Sequence, residues 1–183
     1  MNKSNPFIPA LRFRFLTPLY DPLLRWVMRE LTFKHRLIQE ARIATGFRVL
    51  DLGCGTGTLA VLLKQTHPDA DITGIDGDPA VLAIARAKAA QQNVTITFDE
   101  GMAFQLPYAD GTFDRVVSSL VIHHLTTEDK QRTLREAFRV LKLGGELLIV
   151  DFGKPHNPLA WLISRVMRRL EDLGIGNIKT SNL

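Results

Sequence analysis

Arg48-Val49-Leu50-Asp51-Leu52-Gly53-Cys54-Gly55-Thr56-Gly57-Thr58 is the stretch from which the fold of this chain is read. Val49, Leu50 and Leu52 make a short apolar run, the pattern of a buried strand. The run ends in glycines spaced two apart, Gly53, Gly55 and Gly57. Beyond them the apolar residues Leu59, Leu62 and Leu63 take helical spacing. Strand, glycine turn and helix in immediate succession predict a ligand site. At a helix N-terminus, unpaired backbone N–H groups and the positive dipole end face whatever binds there.

Asp51 narrows the choice of ligand. A dinucleotide places its pyrophosphate over this turn, and a carboxylate two residues before the first glycine repels it. A cation or a hydroxyl is the better neighbour for Asp51. S-adenosylmethionine carries an α-ammonium, a sulfonium and a ribose and has no phosphate, so the charge argument favours it over NAD. Cys54, the only cysteine, excludes an intrachain disulfide and a Cys-rich zinc site. It reads as a small residue tolerated in the turn.

Upstream, residues 1–10 are polar and broken by proline. Residues 11–44 predict two helices, with a turn at Leu19-Tyr20-Asp21 between Pro18 and Pro22 and a second helix over about 33–44. Downstream, strands and helices alternate. The second strand is Ile72–Asp76. Asp78 and Pro79 supply the cap and first residue of a helix running to about Gln92. The β-branched run Val94–Thr97 predicts a third strand over 94–98, and Phe113–Ser118 a fourth. Thr127 is read as the cap of a helix to about Leu141, with Leu134, Phe138 and Leu141 as its buried stripe. Gly144-Gly145 is read as its stop, Glu146–Phe152 as strand five, and Leu159–Leu170 as a further helix.

This alternation predicts an α/β, doubly wound, Rossmann-like and mostly parallel sheet of five visible strands in the order 3-2-1-4-5. The ligand is then expected at the carboxyl ends of the strands, beside the first. Three segments follow: an N-terminal helical lid (1–46), a ligand-binding core (47–153) and a basic C-terminal helix and tail (154–183).

The 183 residues suit one domain with a real core. Their net charge of +4 is uneven: +6 over residues 1–48, −5 over 49–153 and +3 over 154–183. A solvated surface accounts for the basic flanks; attraction to an anionic membrane surface is the functional alternative. Nucleic acid is disfavoured, because no basic-aromatic recognition motif occurs. The start of the chain has Pro6, Pro9, Arg12 and Arg14 where a secretory signal needs an unbroken apolar run. No run approaches the length of a membrane span. The expectation is a cytoplasmic protein, with peripheral membrane contact as an option.

Four segments together resemble the class I S-adenosylmethionine-dependent methyltransferases, in the group that includes ubiquinone/menaquinone and phospholipid methyltransferases. They are Val-Leu-Asp-Leu-Gly-Cys-Gly-Thr-Gly (49–57), Gly-Ile-Asp-Gly-Asp-Pro (74–79), Leu-Pro-Tyr-Ala-Asp-Gly-Thr-Phe-Asp (106–114) and Arg-Val-Leu-Lys-Leu-Gly-Gly-Glu-Leu (139–147). The resemblance implies S-adenosylmethionine as cofactor and S-adenosylhomocysteine as product. It implies that Asp51 and the backbone of Gly53, Cys54, Gly55 and Gly57 hold the methionine end, and that Asp76, with Gly77 beside it, takes the ribose hydroxyls. Gly101, Met102 and Ala103 fall at the adenine. Met102 stands where relatives often carry an aspartate, so apolar packing and backbone N–H groups are expected to hold the base. Ser118 and Ser119 end strand four, and one of them, Ser118 being the first choice, is expected to line the site; a polar strand terminus is the alternative.

The methyl acceptor is less constrained. Base candidates are His123, His124, Tyr20 and Asp151; a satisfied structural role is the alternative for each histidine, and no metal site is expected from the pair. Phe13, Phe15, Tyr20, Trp26, Phe152 and Trp161 are expected to roof a pocket for a small hydrophobic acceptor, quinone-, lipid- or aromatic-like. Leu19-Tyr20-Asp21 resembles the lid element of quinone and phospholipid methyltransferases. Leu143 replaces a common proline, a stiffer turn lost. The usual closing strand pair is missing after strand five, and a truncated chain is one explanation. Otherwise a homo-oligomer or the basic C-terminal helix covers the strand-five edge. Two other readings stay open: a non-catalytic S-adenosylmethionine-binding or scaffold protein, and an NAD-type oxidoreductase, which Asp51 disfavours.

Overall fold

Strand β1 (Arg48–Leu52) lies at the centre of a parallel sheet whose order is β3-β2-β1-β4-β5. The computed structural model describes residues 30–151. In chain order they form α1 (Glu30–Glu40), β1, α2 (Thr58–Thr66), β2 (Asp71–Asp76), α3 (Pro79–Gln91), β3 (Thr97–Glu100), β4 (Phe113–Ser119), a 3-10 turn (Ile122–His124), α4 (Thr127–Val140) and β5 (Leu141–Val150). All four strand pairings are parallel. The expected fold class and strand order are therefore observed. The first N-terminal helix, the Leu19–Asp21 turn, Phe152 and the 159–170 helix lie outside the described residues.

The sheet divides the core in two. Val49 of β1 faces α1, α2 and α3, in a cluster with Leu37, Ile38, Ala41, Leu59, Leu63, Leu82, Ala85 and Phe98. Leu50 and Leu52 face α4, in a cluster with Ile75, Phe113, Val116, Ala137 and Val140. Burial on both faces explains why β1 reads as a nearly continuous apolar run. The strand alternation then puts Asp51 on the Val49 face, beneath α1 and α2.

Two of the four resemblance segments interlock in space. Arg139 on α4 donates to the carbonyls of Leu106 (3.1 Å) and Tyr108 (2.7 Å) and to Asp110 (2.8 Å), while Glu136 accepts the Leu106 N–H at 2.7 Å. Lys142 grips Asp114 at 2.8 and 2.9 Å, and Asp114 also accepts the N–H of Arg48. The 106–114 loop is thus bound to α4 and to the entrance of β1.

Several local expectations are corrected. The second N-terminal helix runs Glu30–Glu40 rather than 33–44. Strand β3 starts at Thr97, because residues 92–94 close α3 through Gln92, Asn93 and Val94 N–H groups, with Asn93 at φ 52°. Thr126, not Thr127, caps α4: its hydroxyl accepts the Asp129 N–H at 3.1 Å. The buried stripe of α4 is Thr133, Ala137 and Val140, while Phe138 is 65% exposed and Leu134 37%. The Glu136–Arg139 anchors to the 106–110 loop set the rotation of this helix. Gly144-Gly145 does not stop α4 but forms a bulge inside β5: two steps along β4, Phe113 to Arg115, match five along β5, Leu141 to Glu146. Gly144 sits at φ 79°.

Candidate functional site

The carboxyl ends of β1, β2 and β4 form one rim, as the strand order requires. At its centre the glycine turn is held mainly by its own hydrogen bonds. The N–H groups of Gly53 and Cys54 both donate to the Ile75 carbonyl (2.8 and 2.9 Å), and that of Gly57 to the Cys54 carbonyl (2.9 Å). Gly55 donates to Asp76 Oδ2 at 2.9 Å. These four donors of the turn, which lie ahead of the first helical residue Thr58, are thus spent within the protein. A turn that spends these donors internally is poorly equipped for a pyrophosphate, which strengthens the charge argument made from Asp51.

The glycines have separate reasons. A Cβ at Gly53 would meet the Val121 side chain at 2.5 Å, and one at Gly57 would meet Ala85 Cβ at 2.8 Å. Gly55, at φ 52°, has nothing within 4 Å of that position, so it alone faces open space. Cys54 turns its side chain inward: its Sγ would lie 2.9 Å from a Cβ at Gly74. Burial first, and then the charges of Asp51 and Asp76, push its thiol well above the ordinary range, so it is an inert packing residue.

Asp51 is 1% exposed, and neither carboxylate oxygen has a hydrogen-bond partner. Burial raises its pKa to about 7; the Lys34 charge pulls it down, Asp76 pushes it up, and the Ala60 N–H, short of hydrogen-bond geometry, pulls it down. A buried, unpartnered carboxylate is costly unless a cation or donor meets it. Asp76 is raised by burial and held back by the N–H groups of Asp78 and Gly55. Its Oδ1 accepts the Asp78 N–H at 3.0 Å. Each oxygen keeps a second lone pair for a hydroxyl. Asp78 itself caps α3 through the Ala80 N–H at 2.8 Å.

Gly77 follows Asp76 in the β2–α3 turn. The Gly101 N–H donates to the Asp76 carbonyl at 3.0 Å, which brings Gly101, Met102 and Ala103 beside that turn. Met102 is partly buried and pairs with Gln105 across a tight turn. Ala103 packs on the α4-side core. Ser118 is fully buried, and its hydroxyl donates to the Leu52 carbonyl at 2.9 Å. It ties β4 to β1 and does not present its hydroxyl to the rim; Ser119, the next residue, is partly exposed.

At the far side of the rim, the His123 ring Nδ1 lies 2.6 Å from Asp151 Oδ1, and the His123 N–H donates to Asp151 Oδ2 at 3.1 Å. With Nδ1 as donor, the imidazole lone pair falls on Nε2, an assignment made from the hydrogen bond. The His124 ring lies 3.9 Å from that of His123. Burial first, then the His123 charge, lowers its pKa to about 4, so it stays neutral near pH 7. Tyr20, the third base candidate, lies outside the described residues. No group of three or more His, Cys, Asp and Glu suited to a metal occurs among the described residues, and no helix among them is long and apolar enough to cross a membrane.

Two features were not foreseen. Lys34 on α1 is only 7% exposed, and its charge reaches Asp51. The signal was its place on the apolar stripe Lys34, Leu37, Ile38, Ala41. The second is the His123–Asp151 pairing, which joins two residues 28 positions apart.

The methyltransferase domain family matches residues 49–145. The demethylmenaquinone methyltransferase of Thermus thermophilus is 36% identical over 156 residues, 84% of this chain and 70% of that protein. The demethylmenaquinone methyltransferase of Deinococcus radiodurans is 34% identical over 172 residues, 90% of this chain and 70% of that protein. Among solved structures, the YcgJ protein of Bacillus subtilis superposes with a TM-score of 0.63 at 29% identity. That match covers 75% of this chain and 58% of the YcgJ chain.

Proposed function

From the premise that this chain belongs to the class I S-adenosylmethionine-dependent methyltransferases, we propose that it methylates a small hydrophobic acceptor, a quinol of the demethylated menaquinone type being the first choice. Asp51 carries the cofactor part of this reading: a fully buried carboxylate with two unpartnered oxygens, under a glycine turn that holds little for a phosphate. An ammonium is the group that such a carboxylate accepts, and Asp76 offers its remaining lone pairs to ribose hydroxyls. Gly53, Cys54, Gly55 and Gly57 shape the turn. Gly77 and the Gly101-Met102-Ala103 segment flank the adenine, whose base is held by packing rather than by an acidic side chain.

The cofactor, when bound, supplies a methyl group activated on a sulfonium. The protein's part is then to place the acceptor and move one proton. His123 takes that proton on Nε2 while Asp151 fixes the ring and stabilises its charged form. His124, neutral, packs against it. Ser118 supports the rim from below. An apolar groove between α1 and β5, lined by Phe33, Leu37, Leu148, Ile149 and Val150 with Arg36 and Glu40 at its border, supports an acceptor with hydrocarbon character. The names of the Thermus and Deinococcus relatives support the quinone class.

Calorimetric titration tests the cofactor: S-adenosylhomocysteine is expected to bind and NADH not. Methyl release is then measured with a demethylated naphthoquinol, a catechol, a phospholipid and an amine. Turnover of the amine alone would overturn the quinol reading. Cofactor binding with no methyl release from any acceptor would favour the scaffold reading.

A further inference from the structure

Among the described residues other than glycine, Arg42, Asn93 and Leu120 have a positive φ. Arg42 and Asn93 close α1 and α3, where left-handed backbone is a common helix ending. Leu120, at φ 59°, instead follows strand β4, and its bulky side chain disfavours that conformation. Strain of this kind persists where the surroundings over-determine it, and it collects at functional sites. Here the surroundings are the ends of β5 and β1. Ser119 pairs in register with Val150, and the Leu120 N–H donates to the Val150 carbonyl at 2.9 Å. The residue after Val150 is Asp151, which holds both the ring and the backbone of His123. On the other flank the Ser118 hydroxyl reaches the Leu52 carbonyl. The Val121 side chain lies directly on Gly53: a Cβ there would stand 2.5 and 2.7 Å from its two methyl carbons. The His124 N–H donates back to the Val121 carbonyl at 3.0 Å, so Val121 and His123 belong to one tight turn.

We propose that Leu120 and Val121 are positioning residues that fix His123 against the glycine turn. The left-handed bend at Leu120 turns the chain from β4 toward the end of β1, and Val121, seated on Gly53, sets how far the His123 turn stands from that end. The proposal rests on the reading of His123 as the acceptor's base and gives that base a rigid link to the cofactor's turn. An in-line transfer needs the acceptor oxygen opposite the methyl group and beside the base at the same time. If the two loops moved separately, that distance would vary, and a misplacement of about 1 Å costs about 100-fold in rate. Because Gly53 has no side chain, Val121 meets the backbone itself, and no rotamer on the glycine side absorbs a shift.

The test uses the full chain with two acceptors, a naphthol that must lose a proton and a nitro-substituted naphthol already ionised at the assay pH. Val121→Ala removes both methyl groups from Gly53. It is expected to lower kcat for the naphthol by roughly 10–100-fold, to lower it far less for the ionised acceptor, and to leave S-adenosylhomocysteine affinity nearly unchanged. Val121→Ile keeps both contacting carbons and should keep kcat. Equal loss on both acceptors would mark Val121 as merely structural and overturn the proposal, as would no loss on either. His123→Ala separates this from the reading beneath it. Unchanged naphthol turnover in His123→Ala would remove the base itself, whereas a loss there with none in Val121→Ala would overturn the positioning alone. A second readout needs no turnover: the ring-nitrogen NMR resonances of His123 report its bond to Asp151. Gly53→Ala, whose methyl collides with Val121, should shift them, and adding Val121→Ala to Gly53→Ala should bring them back. Unshifted resonances in Gly53→Ala, or no return in the double variant, would overturn the link.

Discussion

Gly55 donates its N–H to Asp76 Oδ2 at 2.9 Å, while the second oxygen of that carboxylate accepts the Asp78 N–H at 3.0 Å. One side chain therefore ties the turn after β1 to the turn after β2 and sets the floor of the site. Its charge meets two backbone donors from the two turns, and the ribose role proposed for it would use the lone pairs that remain.

Asp76→Ala should abolish measurable S-adenosylhomocysteine binding and also destabilise the protein. Two backbone donors lose an ionised acceptor, at roughly 1–3 kcal/mol for each that stays unsatisfied. Asp76→Asn keeps the shape and one acceptor oxygen, so it should lie between. Calorimetry reads the affinity and urea unfolding the stability. Wild-type affinity in Asp76→Ala would move the ribose anchor elsewhere.

Asp51 carries the opposite balance. Its folded-state pKa, about 7, lies above the ordinary 3.8. The folded protein therefore holds a proton on Asp51 that the unfolded chain has released between about pH 4 and 7. The stability tied to that proton is present below about pH 4 and is lost as pH rises through 7, on the order of 4 kcal/mol at most for a shift of this size. Asp51→Asn removes the loss. Urea unfolding should show the variant more stable than the unaltered protein at pH 8, with the gap closing towards pH 4, while cofactor binding falls. A constant gap across that range would contradict the buried, unpartnered carboxylate.

The glycines of the turn should separate into two classes. Gly57→Ala places a methyl 2.8 Å from Ala85 at φ 73°. Left-handed strain and overpacking together predict a loss of roughly 2–5 kcal/mol. Gly55→Ala meets no protein atom and should cost only roughly 1–2 kcal/mol, the strain of its φ. Its methyl enters the space assigned to the ligand, so S-adenosylhomocysteine affinity should fall far more than stability does. Parallel melting and titration of the two variants check the split; a Gly55→Ala protein with normal affinity would place the ligand off this turn.

What the sequence made legible was local. Val49–Gly57 names a strand and its turn, Asp78-Pro79 names a helix start, and each is decided by its own neighbours. The errors fell where distant contacts decide. On α4, the stripes 133/137/140 and 134/138/141 fit the same period, and the loop at 106–110, gripped by Glu136 and Arg139, chose between them. The β-branched run at 94–97 looked like strand, but closing α3 consumed its first residue. Ser118 was placed on the rim by its position at a strand end, whereas the Leu52 carbonyl holds its hydroxyl inside. Strand alternation could have shown Asp51 to be buried. That the Lys34 charge acts on it could not be read, because nothing in the spacing of 34 and 51 fixes how α1 crosses the sheet.

The His123–Asp151 pair gives the last prediction. Asp151 accepts from both the ring and the backbone of His123, so it holds the imidazole in one tautomer and in one place. Asp151→Asn preserves the size but weakens the stabilisation of a charged ring. With a quinol or phenol acceptor, whose proton must leave, kcat should fall by about 10²–10⁴-fold, the range of a general base and its orienting carboxylate. S-adenosylhomocysteine affinity should stay the same, because the pair is assigned to the acceptor's proton and not to the cofactor. His123→Ala should fall equally, and the double variant no further, since the two act as one unit. An acceptor supplied already as its phenolate at high pH should recover most of the loss in His123→Ala. If kcat is unchanged in both variants, the dyad is structural and the proton leaves by another route.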